Sequence, residues 1–181
     1  MEGCFPDPSL ICYKRHKNLK DMLIRAKVSL QKRPRRKQLG FKECHKSGGA
    51  CMMCTGSPRR TTEHKCMRTG RKWDITSAID CNTRNVIYKL RCQRCPDWLY
   101  IGETERRPKD RLYQHRSCVH QQKLDTPAGE HFCRPGHRIT DLSMLPFERI
   151  RPGNDPQVRK IRETLWINTY EAVKYGANKK K

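Results

Sequence analysis

The sequence predicts an α/β (α+β) chain in which a small antiparallel sheet is flanked by helices and accompanied by metal-binding elements. Three observations support this prediction. Two strand-like segments flank a Cys-x-x-Cys turn, helix-like segments follow them, and a cysteine-rich stretch with few large aliphatic residues precedes them. At 181 residues the chain is long enough for one domain with its own core and a small satellite module.

The strands are predicted on both sides of the Cys-x-x-Cys turn. The segment NVIYKLRC, 85–92, alternates and is rich in β-branched residues, and DWLYIGET, 97–104, has a similar character. The short connection QRCP between them is typical of an antiparallel hairpin. We expect a further strand over SMLPFERI, 143–150, interrupted by Pro146.

Two longer helices are predicted. The segment RRPKDRLYQHRSCVHQQ, 106–122, has a proline near its start, which suits the first turn of a helix. The segment PQVRKIRETLWINTYEAV, 156–173, is the longest candidate. We expect LDTPAGEHFCRPGHRITDL, 124–142, to form a loop and the tail, 175–181, to fray. The predicted apolar face of the longest helix consists of Val158, Ile161, Leu165, Trp166 and Thr169.

Composition divides the chain into four segments. The first is a basic arm in which Leu19 to Leu30 predicts a short amphipathic helix, followed by KRPRRK, 32–37. That hexapeptide suits nuclear localisation or phosphate contact, although basic runs also serve as solvated linkers. The segments are the arm or linker over 1–42, a cysteine-rich zinc-binding segment over 43–81, the α/β domain over 82–175 and a basic tail over 176–181.

The charge of the chain indicates nucleic acid as its partner. The 40 Lys and Arg residues against 18 Asp and Glu give a net charge of +22, as expected of a protein that neutralises phosphates. The alternative is a solvated basic surface without a specific partner. No stretch approaches the roughly 18 apolar residues of a membrane span, so we expect a soluble protein with no membrane partner. The expected nucleic-acid contacts are Lys32, Arg33, Arg35, Arg36, Lys37 and Arg107.

The cysteines indicate metal binding in a reducing compartment. There are eleven, an odd number, and no signal peptide precedes them, which argues against a secreted disulfide framework. Cys92 and Cys95 have the spacing of a zinc knuckle, and His131 and His137 suit the histidine half of such a site. This site would tie the hairpin turn to a distant loop. The alternative is a redox pair beside two solvated histidines.

An upstream group of three thiols, Cys44, Cys51 and Cys54, requires a fourth ligand. Spacing alone does not choose it. We interpret the group as a structural zinc site of four cysteines, and the alternative is reduced cysteines in a linker. The candidates for the fourth ligand are Cys81, Cys66, His45 and His64.

Four motifs give the chain a family resemblance: VIY, 86–88, YIG, 100–102, the arginine of DRLYQH and the glutamate of IRETLWI. Together they resemble the GIY-YIG endonuclease family, most closely the C-terminal endonuclease domain of Penelope-like retroelement proteins. In those proteins a Cys-x-x-Cys lies between the tyrosine motifs, and HF…GH and an upstream cysteine cluster recur. The resemblance covers nearly the whole chain, with Val86 in place of the family's first glycine. No reverse-transcriptase segment precedes it, as in a retroelement remnant, a domesticated copy or an excised domain.

The resemblance implies a central antiparallel three-stranded sheet and five catalytic residues. Tyr88 would activate the attacking water and Tyr100 would position water or phosphate. As a base, Tyr88 needs a depressed pKa or assistance from His115. Arg111 and His115 are four apart on one predicted helix and would face the same phosphate. Glu163 would hold Mg²⁺ or Mn²⁺. On sequence alone, an exposed helix glutamate paired with a neighbouring arginine is the alternative.

The expected function is therefore a zinc-stabilised, Mg²⁺- or Mn²⁺-dependent endonuclease in the nucleus. It would nick target DNA, providing a primer end for the element's reverse transcription, with RNA or the element's reverse transcriptase as further partners. A catalytically inert, zinc-bearing nucleic-acid-binding module is the first alternative. A zinc-dependent interaction protein without nucleic acid is the second, and it predicts weak, barely salt-sensitive DNA binding.

Overall fold

The computed structural model describes residues 39–44, 51–55, 60–151 and 156–179, which all belong to one compact unit, Lys37–Lys181. This part of the chain is a mixed α/β structure, as predicted, and none of its helices could cross a membrane. Its strands are β1 Gly40–Lys42, β2 Arg60–Thr61, β3 Glu63–Lys65, β4 Lys72–Asp74, β5 Ala78–Ile79, β6 Val86–Cys92, β7 Leu99–Thr104 and β8 Leu142–Arg149. Its helices are α1 Met52–Thr55, α2 Pro108–His120, α3 Pro127–Phe132 and α4 Pro156–Thr169.

Most of the basic arm, residues 1–38, lies outside the described residues. This applies to the predicted amphipathic helix, Leu19 to Leu30, and to five of the six expected nucleic-acid contacts. Their roles therefore stay predictions, as do the four segment boundaries. The five contacts are Lys32, Arg33, Arg35, Arg36 and Lys37.

The main sheet has the order β7-β6-β8 with antiparallel neighbours. Side chains alternate along a strand, so Tyr88 of the middle strand, β6, points to one face of the sheet and the flanking Ile87 and Lys89 point to the other. All three are buried, so β6 is covered on both faces. The predicted interruption at Pro146 does not end the strand, because β8 runs through it, opposite Tyr88. It coincides instead with a register shift, since Ile87 pairs with Glu148 and Tyr88 with Pro146. A proline is tolerated there because β8 is an edge strand of this sheet, and the backbone groups on its outer edge have no neighbouring strand to pair with.

A short helix, α3, replaces part of the predicted loop. The Thr126 side chain accepts a hydrogen bond from the Gly129 backbone N–H at 3.1 Å, and Pro127 occupies the first turn. This capped start was present in the sequence, but the helix is only six residues long and has no helical repeat of apolar residues. A prediction based on periodicity therefore assigned it to a loop.

The face that α4 turns to the sheet was predicted only in part: Val158 and Trp166 pack against the core, but the other predicted residues do not. Ile161 and Leu165 are 57% and 48% exposed, whereas Glu163 and Ile167 are buried. Arg159 also faces inward, because its guanidinium donates to Glu103 of β7 at 2.8 Å. Hydropathy alone places charged side chains outside, so it could not identify a packed face that contains an arginine and a glutamate.

The cysteine-rich segment and β1, which precedes it, contribute buried residues to the hydrophobic core, which composition did not predict. Strand β1 pairs with β2 in antiparallel and with β5 in parallel orientation, and β3 and β4 form a hairpin. Phe41, Met53, Ile75 and Ile79 are buried between these elements. They stand singly among polar residues in the sequence, so no apolar run marks the core.

The C-terminal segment is ordered along the outer edge of β7, and the predicted fraying is wrong for residues up to Lys179. The buried Asn178 accepts a hydrogen bond from the Ile101 N–H at 2.9 Å and donates one to the Ile101 carbonyl at 2.8 Å. One residue earlier, the Ala177 N–H donates to the Leu99 carbonyl at 2.7 Å. Two hydrogen bonds of the Asn178 side chain and one of the Ala177 backbone hold this segment on the strand edge, and hydropathy patterns do not report such bonds.

Candidate functional site

A hydrogen-bonded cluster of Tyr88, Arg111 and His115 joins β6 to α2. Tyr88 Oη lies 2.8 Å from His115 Nε2 and accepts a hydrogen bond from Arg111 Nε at 3.1 Å. The four-residue spacing places both α2 side chains on one helix face, toward the strand. Because Arg111 donates to Tyr88, the tyrosine proton is available to donate to His115.

Gly102 and Tyr100 of β7 complete the surroundings of the Tyr88 hydroxyl. Gly102 lies opposite Tyr88 in the register, and a Cβ at Gly102 would lie 2.6 Å from Tyr88 Oη and 2.9 Å from the Tyr100 ring. Any side chain at Gly102 would therefore displace the hydroxyl. The ring centroid of Tyr100 is 6.0 Å from that of His115. Both predicted tyrosines thus converge on the same histidine.

Glu163 approaches this cluster from α4. It is only 6% exposed, in contrast to the exposed helix glutamate considered as the alternative, and its charge acts on Tyr88. The neighbouring Arg159 and Arg162 bind other carboxylates, at 2.8 Å from Glu103 and 2.7 Å from Glu148. The structure therefore brings the five predicted catalytic residues together.

The protonation states favour a neutral tyrosine and a neutral histidine. Burial raises the pKa of Tyr88, and Tyr100 and Glu163 raise it further, while Arg111 lowers it. Burial, together with repulsion from Arg111, lowers the pKa of His115 to about 3. Of the two ways in which Tyr88 could act as a base, assistance by His115 is therefore the one that the surroundings support.

The upstream cluster consists of the four thiols Cys44, Cys51, Cys54 and Cys81, whose sulfurs all lie within 4.8 Å of one another. Two of the Sγ separations are 3.4 Å, from Cys51 to Cys54, and 3.7 Å, from Cys54 to Cys44. Metal–sulfur bonds of about 2.3 Å in a tetrahedron require sulfurs roughly 3.8 Å apart. The observed spacing therefore suits a tetrahedral metal ion.

Cys81 completes the upstream cluster, and the competing ligands do not. His64 and Cys66 belong to β3 and the turn after it, away from the cluster, and His45 lies outside the described residues. Although burial raises the pKa of Cys51, hydrogen bonds from Cys54 and the other cluster thiols lower it to about 7. Burial and the neighbouring thiols raise the pKa of Cys54 and that of Cys81, so Cys51 is, of these three, the thiol closest to the thiolate form that binds a metal.

The hairpin cluster consists of Cys92, Cys95, His131 and His137, and its ligand atoms also lie within 4.8 Å of one another. The Cys95 Sγ lies 3.2 Å from His137 Nε2. His131 Nε2 is buried and has no hydrogen-bond partner in the described part of the chain, as expected of a nitrogen that faces a metal. Burial lowers the pKa of His131 to about 4, which keeps the ring in its ligating neutral form.

The hairpin cluster ties the turn between β6 and β7 to α3. Cys92 ends β6, Cys95 lies in the turn, and His131 lies on α3, the helix that the sequence did not reveal. The Trp98 ring stacks on the His131 ring with centroids 4.6 Å apart, which fixes the orientation of the imidazole. A metal here would hold the strands that carry Tyr88 and Tyr100 in register.

Arg107 is the one expected nucleic-acid contact within the described residues. It lies immediately before α2, and its guanidinium donates to Asp110 at 2.7 Å and 3.2 Å. This pair is exposed to solvent, so the salt bridge is weak and can exchange for a phosphate.

Sequence reasoning missed a buried aromatic cluster that supports α4. His64 Nδ1 lies 2.6 Å from Tyr170 Oη, and the His64 ring stacks on Phe147 with centroids 4.2 Å apart. Trp73 and Trp166 also pack against His64. The cluster ties the β3–β4 hairpin to the helix that carries Glu163. Its members are far apart in the sequence and form no motif, so no local signal could have identified them.

Comparisons with protein-family models, curated proteins and solved structures find no match to this chain.

Proposed function

We propose that this chain is a metal-dependent DNA endonuclease of the GIY-YIG type, which nicks DNA by phosphodiester hydrolysis. The observation that carries the proposal is the hydrogen-bonded cluster of Tyr88, Arg111 and His115, with the buried Glu163 and Tyr100 beside it. Support also comes from the antiparallel order β7-β6-β8, which matches the three-stranded sheet expected for that family.

In the proposed reaction Tyr88 and His115 move one proton. The Tyr88 oxygen takes a proton from the attacking water while its own proton passes to His115 Nε2, 2.8 Å away. His115 can accept because it is neutral, and Tyr88 remains neutral overall, in keeping with its raised pKa. The water oxygen then forms a bond to phosphorus as the bond to the 3′ oxygen breaks.

Arg111 would stabilise the charge that develops on the phosphoryl oxygens. Its guanidinium has five N–H groups, and one binds Tyr88 while another binds the Gln114 side chain at 3.0 Å. The remaining N–H groups can bind a phosphate as a planar fork. Because the same side chain also holds the Tyr88 hydroxyl, it would align the attacking water with the phosphate.

Glu163 is the residue that would hold Mg²⁺ or Mn²⁺. The ion would offset charge on the phosphate and on the leaving oxygen. Mg²⁺ is commonly bound by one or two carboxylates together with substrate phosphates and water, so a single buried glutamate suits it. We also propose Zn²⁺ as the ion of the upstream and hairpin clusters, because four thiolates, or two thiolates and two imidazoles, are its usual structural ligands.

The resemblance to Penelope-like elements supports the rest of the proposal. The nick would provide a primer end in nuclear DNA for reverse transcription of the element, with the element's RNA or reverse transcriptase as partner. The net charge of +22 suits a protein that works on polyphosphate chains.

A plasmid-nicking assay tests the proposal. The full chain, loaded with zinc, is incubated with supercoiled DNA and Mg²⁺ or Mn²⁺, and conversion to the relaxed form is followed. We expect Arg111→Ala to slow nicking by about 10²–10³-fold. We expect Glu163→Gln to abolish the nicking that Mg²⁺ or Mn²⁺ supports in the wild type. Glu63→Gln is the matched control, since this exposed glutamate pairs with Lys72 on the surface of the β3–β4 hairpin.

Absence of metal-dependent nicking in the wild-type protein would refute the proposal. Equal nicking by the wild type and both site variants would refute the assignment of these residues. Salt-sensitive DNA binding without nicking would instead support the inert binding module, which the charge of the chain favours as the second candidate.

A further inference from the structure

A cavity of about 270 Å³ lies on the face of the main sheet opposite Tyr88. Arg91 of β6 and Leu99 of β7, which are partners in the register, both line it. Arg91 is three residues from Tyr88, so the two side chains leave β6 on opposite faces. Ligand pockets have volumes of about 300–1,000 Å³, and this cavity is slightly smaller than that range. It is separate from the proposed nuclease site.

The walls of the cavity suit a flat, apolar ring. Tyr170 and Tyr175 follow α4 and contribute aromatic surface, and Leu99 and Pro96 contribute aliphatic surface from the β6–β7 hairpin. Tyr170 is 3% exposed, and His64 Nδ1, 2.6 Å from its hydroxyl, fixes its position. Tyr170 is thus a rigid wall with little accessible surface, and Tyr175, which is 44% exposed, is the aromatic ring that a base can reach. Stacking on a preformed aromatic surface costs little conformational entropy.

The rim of the cavity is positively charged. Lys65, Arg68 and Arg91 line it, and Asp97 is the only carboxylate among the lining residues. Arg68 is held at the rim by stacking on Tyr175, with its guanidinium carbon 4.1 Å from the ring centroid, and by an ion pair with Glu171. The site therefore carries more positive charge than its own acids neutralise, and it attracts an anion.

A further cation, Lys89, is buried next to the cavity. It is 2% exposed, and its ammonium group donates to the Lys65 carbonyl at 3.0 Å and lies 5.6 Å from the centre of the Tyr170 ring. Among the described residues no carboxylate forms an ion pair with it. Burial, together with repulsion from Arg91, lowers its pKa to about 7. An anion at the rim would offset this repulsion.

We propose that this cavity binds a nucleoside phosphate, with the base against Tyr175 and Leu99 and the phosphate at Arg68 and Arg91. The walls accept a flat ring, the rim accepts a phosphate, and both are present on one side of a chain with a net charge of +22. The ligand is either a free mononucleotide or one unpaired nucleotide of a single strand. The proposal does not depend on the nuclease reaction, because none of the proposed catalytic residues lines the cavity.

Binding measurements on the full, zinc-loaded chain test the proposal. Isothermal titration calorimetry with deoxyadenosine monophosphate and with deoxyadenosine measures the contribution of the phosphate. Fluorescence anisotropy with a labelled six-nucleotide single strand tests the second source. We expect Arg91→Gln to weaken binding of the phosphorylated ligand at least about tenfold. We expect Met67→Trp to weaken it as well, because Met67 lines the cavity and is 44% exposed, so the larger ring fills space without disturbing the core.

The matched control is Arg84→Gln, which removes the same charge from an exposed position outside the cavity lining. Binding that is sensitive to Arg91→Gln and insensitive to Arg84→Gln supports the site. If only the free nucleotide binds in this way, the ligand is a free mononucleotide, and if only the strand does, it is an unpaired nucleotide. Equal loss in both variants, equal affinity for the nucleoside and its phosphate, or no binding of either probe would overturn the proposal.

Discussion

Replacing Tyr88 with phenylalanine removes one oxygen atom from the centre of the candidate site and keeps the ring. That oxygen lies 2.8 Å from His115 Nε2 and 3.1 Å from Arg111 Nε, and the Tyr88 side chain is fully buried. In the variant both nitrogens lose the hydroxyl as their hydrogen-bond partner, and the phenylalanine ring still excludes water from that place. The change therefore affects stability and catalysis, by amounts that can be measured separately.

The two magnitudes follow from these contacts. A buried polar group that loses its hydrogen bond costs about 1–3 kcal/mol, so the free energy of unfolding should fall by about that amount. Positioned proton transfer contributes about 10²–10⁴-fold to a rate, so nicking should slow by that factor if Tyr88 and His115 move the proton of the water. The loss of rate should therefore exceed what the loss of folded protein explains.

The assay compares Tyr88→Phe with Tyr113→Phe. Tyr113 lies on the outer surface of α2 and is 66% exposed, so its hydroxyl should contribute to neither quantity. Unfolding in urea gives the stability of each variant, and plasmid nicking at a temperature where both are folded gives the rate. A Tyr88→Phe protein that loses stability but nicks at the wild-type rate would refute the proton-transfer role, leaving Tyr88 as a packing residue.

Two further predictions concern the metal clusters and the buried histidine. The zinc-loaded protein should contain two zinc ions per chain by atomic absorption, and Cys54→Ser should lose one of them. Cys118→Ser, outside both clusters, should retain both. The second prediction uses His64, whose pKa is lowered to about 3 by burial and by Lys89. Below its ordinary pKa of about 6.5 this histidine binds a proton in the unfolded state but not in the folded state. The free energy of unfolding therefore decreases as the pH is lowered, by about 1.4 kcal/mol from this residue between pH 7.5 and 5.5. Urea unfolding at both pH values in excess zinc should give a smaller difference for His64→Phe, and an unchanged difference would contradict the buried neutral state.

The metal clusters are the feature that the sequence predicted best. Cysteine and histidine spacing identified both ligand groups, because metal ligands must be of a few residue types and must converge. Spacing did not choose among Cys81, Cys66 and His64 as the fourth upstream ligand. That choice depends on the β3–β4 hairpin, which carries His64 into the aromatic cluster and leaves Cys81 near the other thiols.

The errors come from features that hydropathy does not encode. The buried face of α4 was predicted only in part, because Arg159 and Glu163 point inward in place of Ile161 and Leu165. Val158 and Trp166 pack against the core as predicted. Helix α3 was missed because one cap and one proline, rather than an apolar repeat, define it. For α4 the decisive interactions are with residues distant in the sequence, so a pattern along the chain could not reveal them. For α3 the cap is local, but a helix of six residues is too short to show an apolar repeat.

The contacts of Asn178 and Ala177 with β7 have a consequence for the behaviour of the protein in concentrated solution. Strand β7 is an edge strand of its sheet, and an uncovered edge can pair with a strand of another molecule and start aggregation. Asn178 occupies both backbone groups of Ile101, and Ala177 occupies the carbonyl of Leu99. We therefore expect Ala177 and Asn178 to protect the chain against self-association, and a version shortened before Ala177 to lose that protection while keeping every proposed catalytic residue.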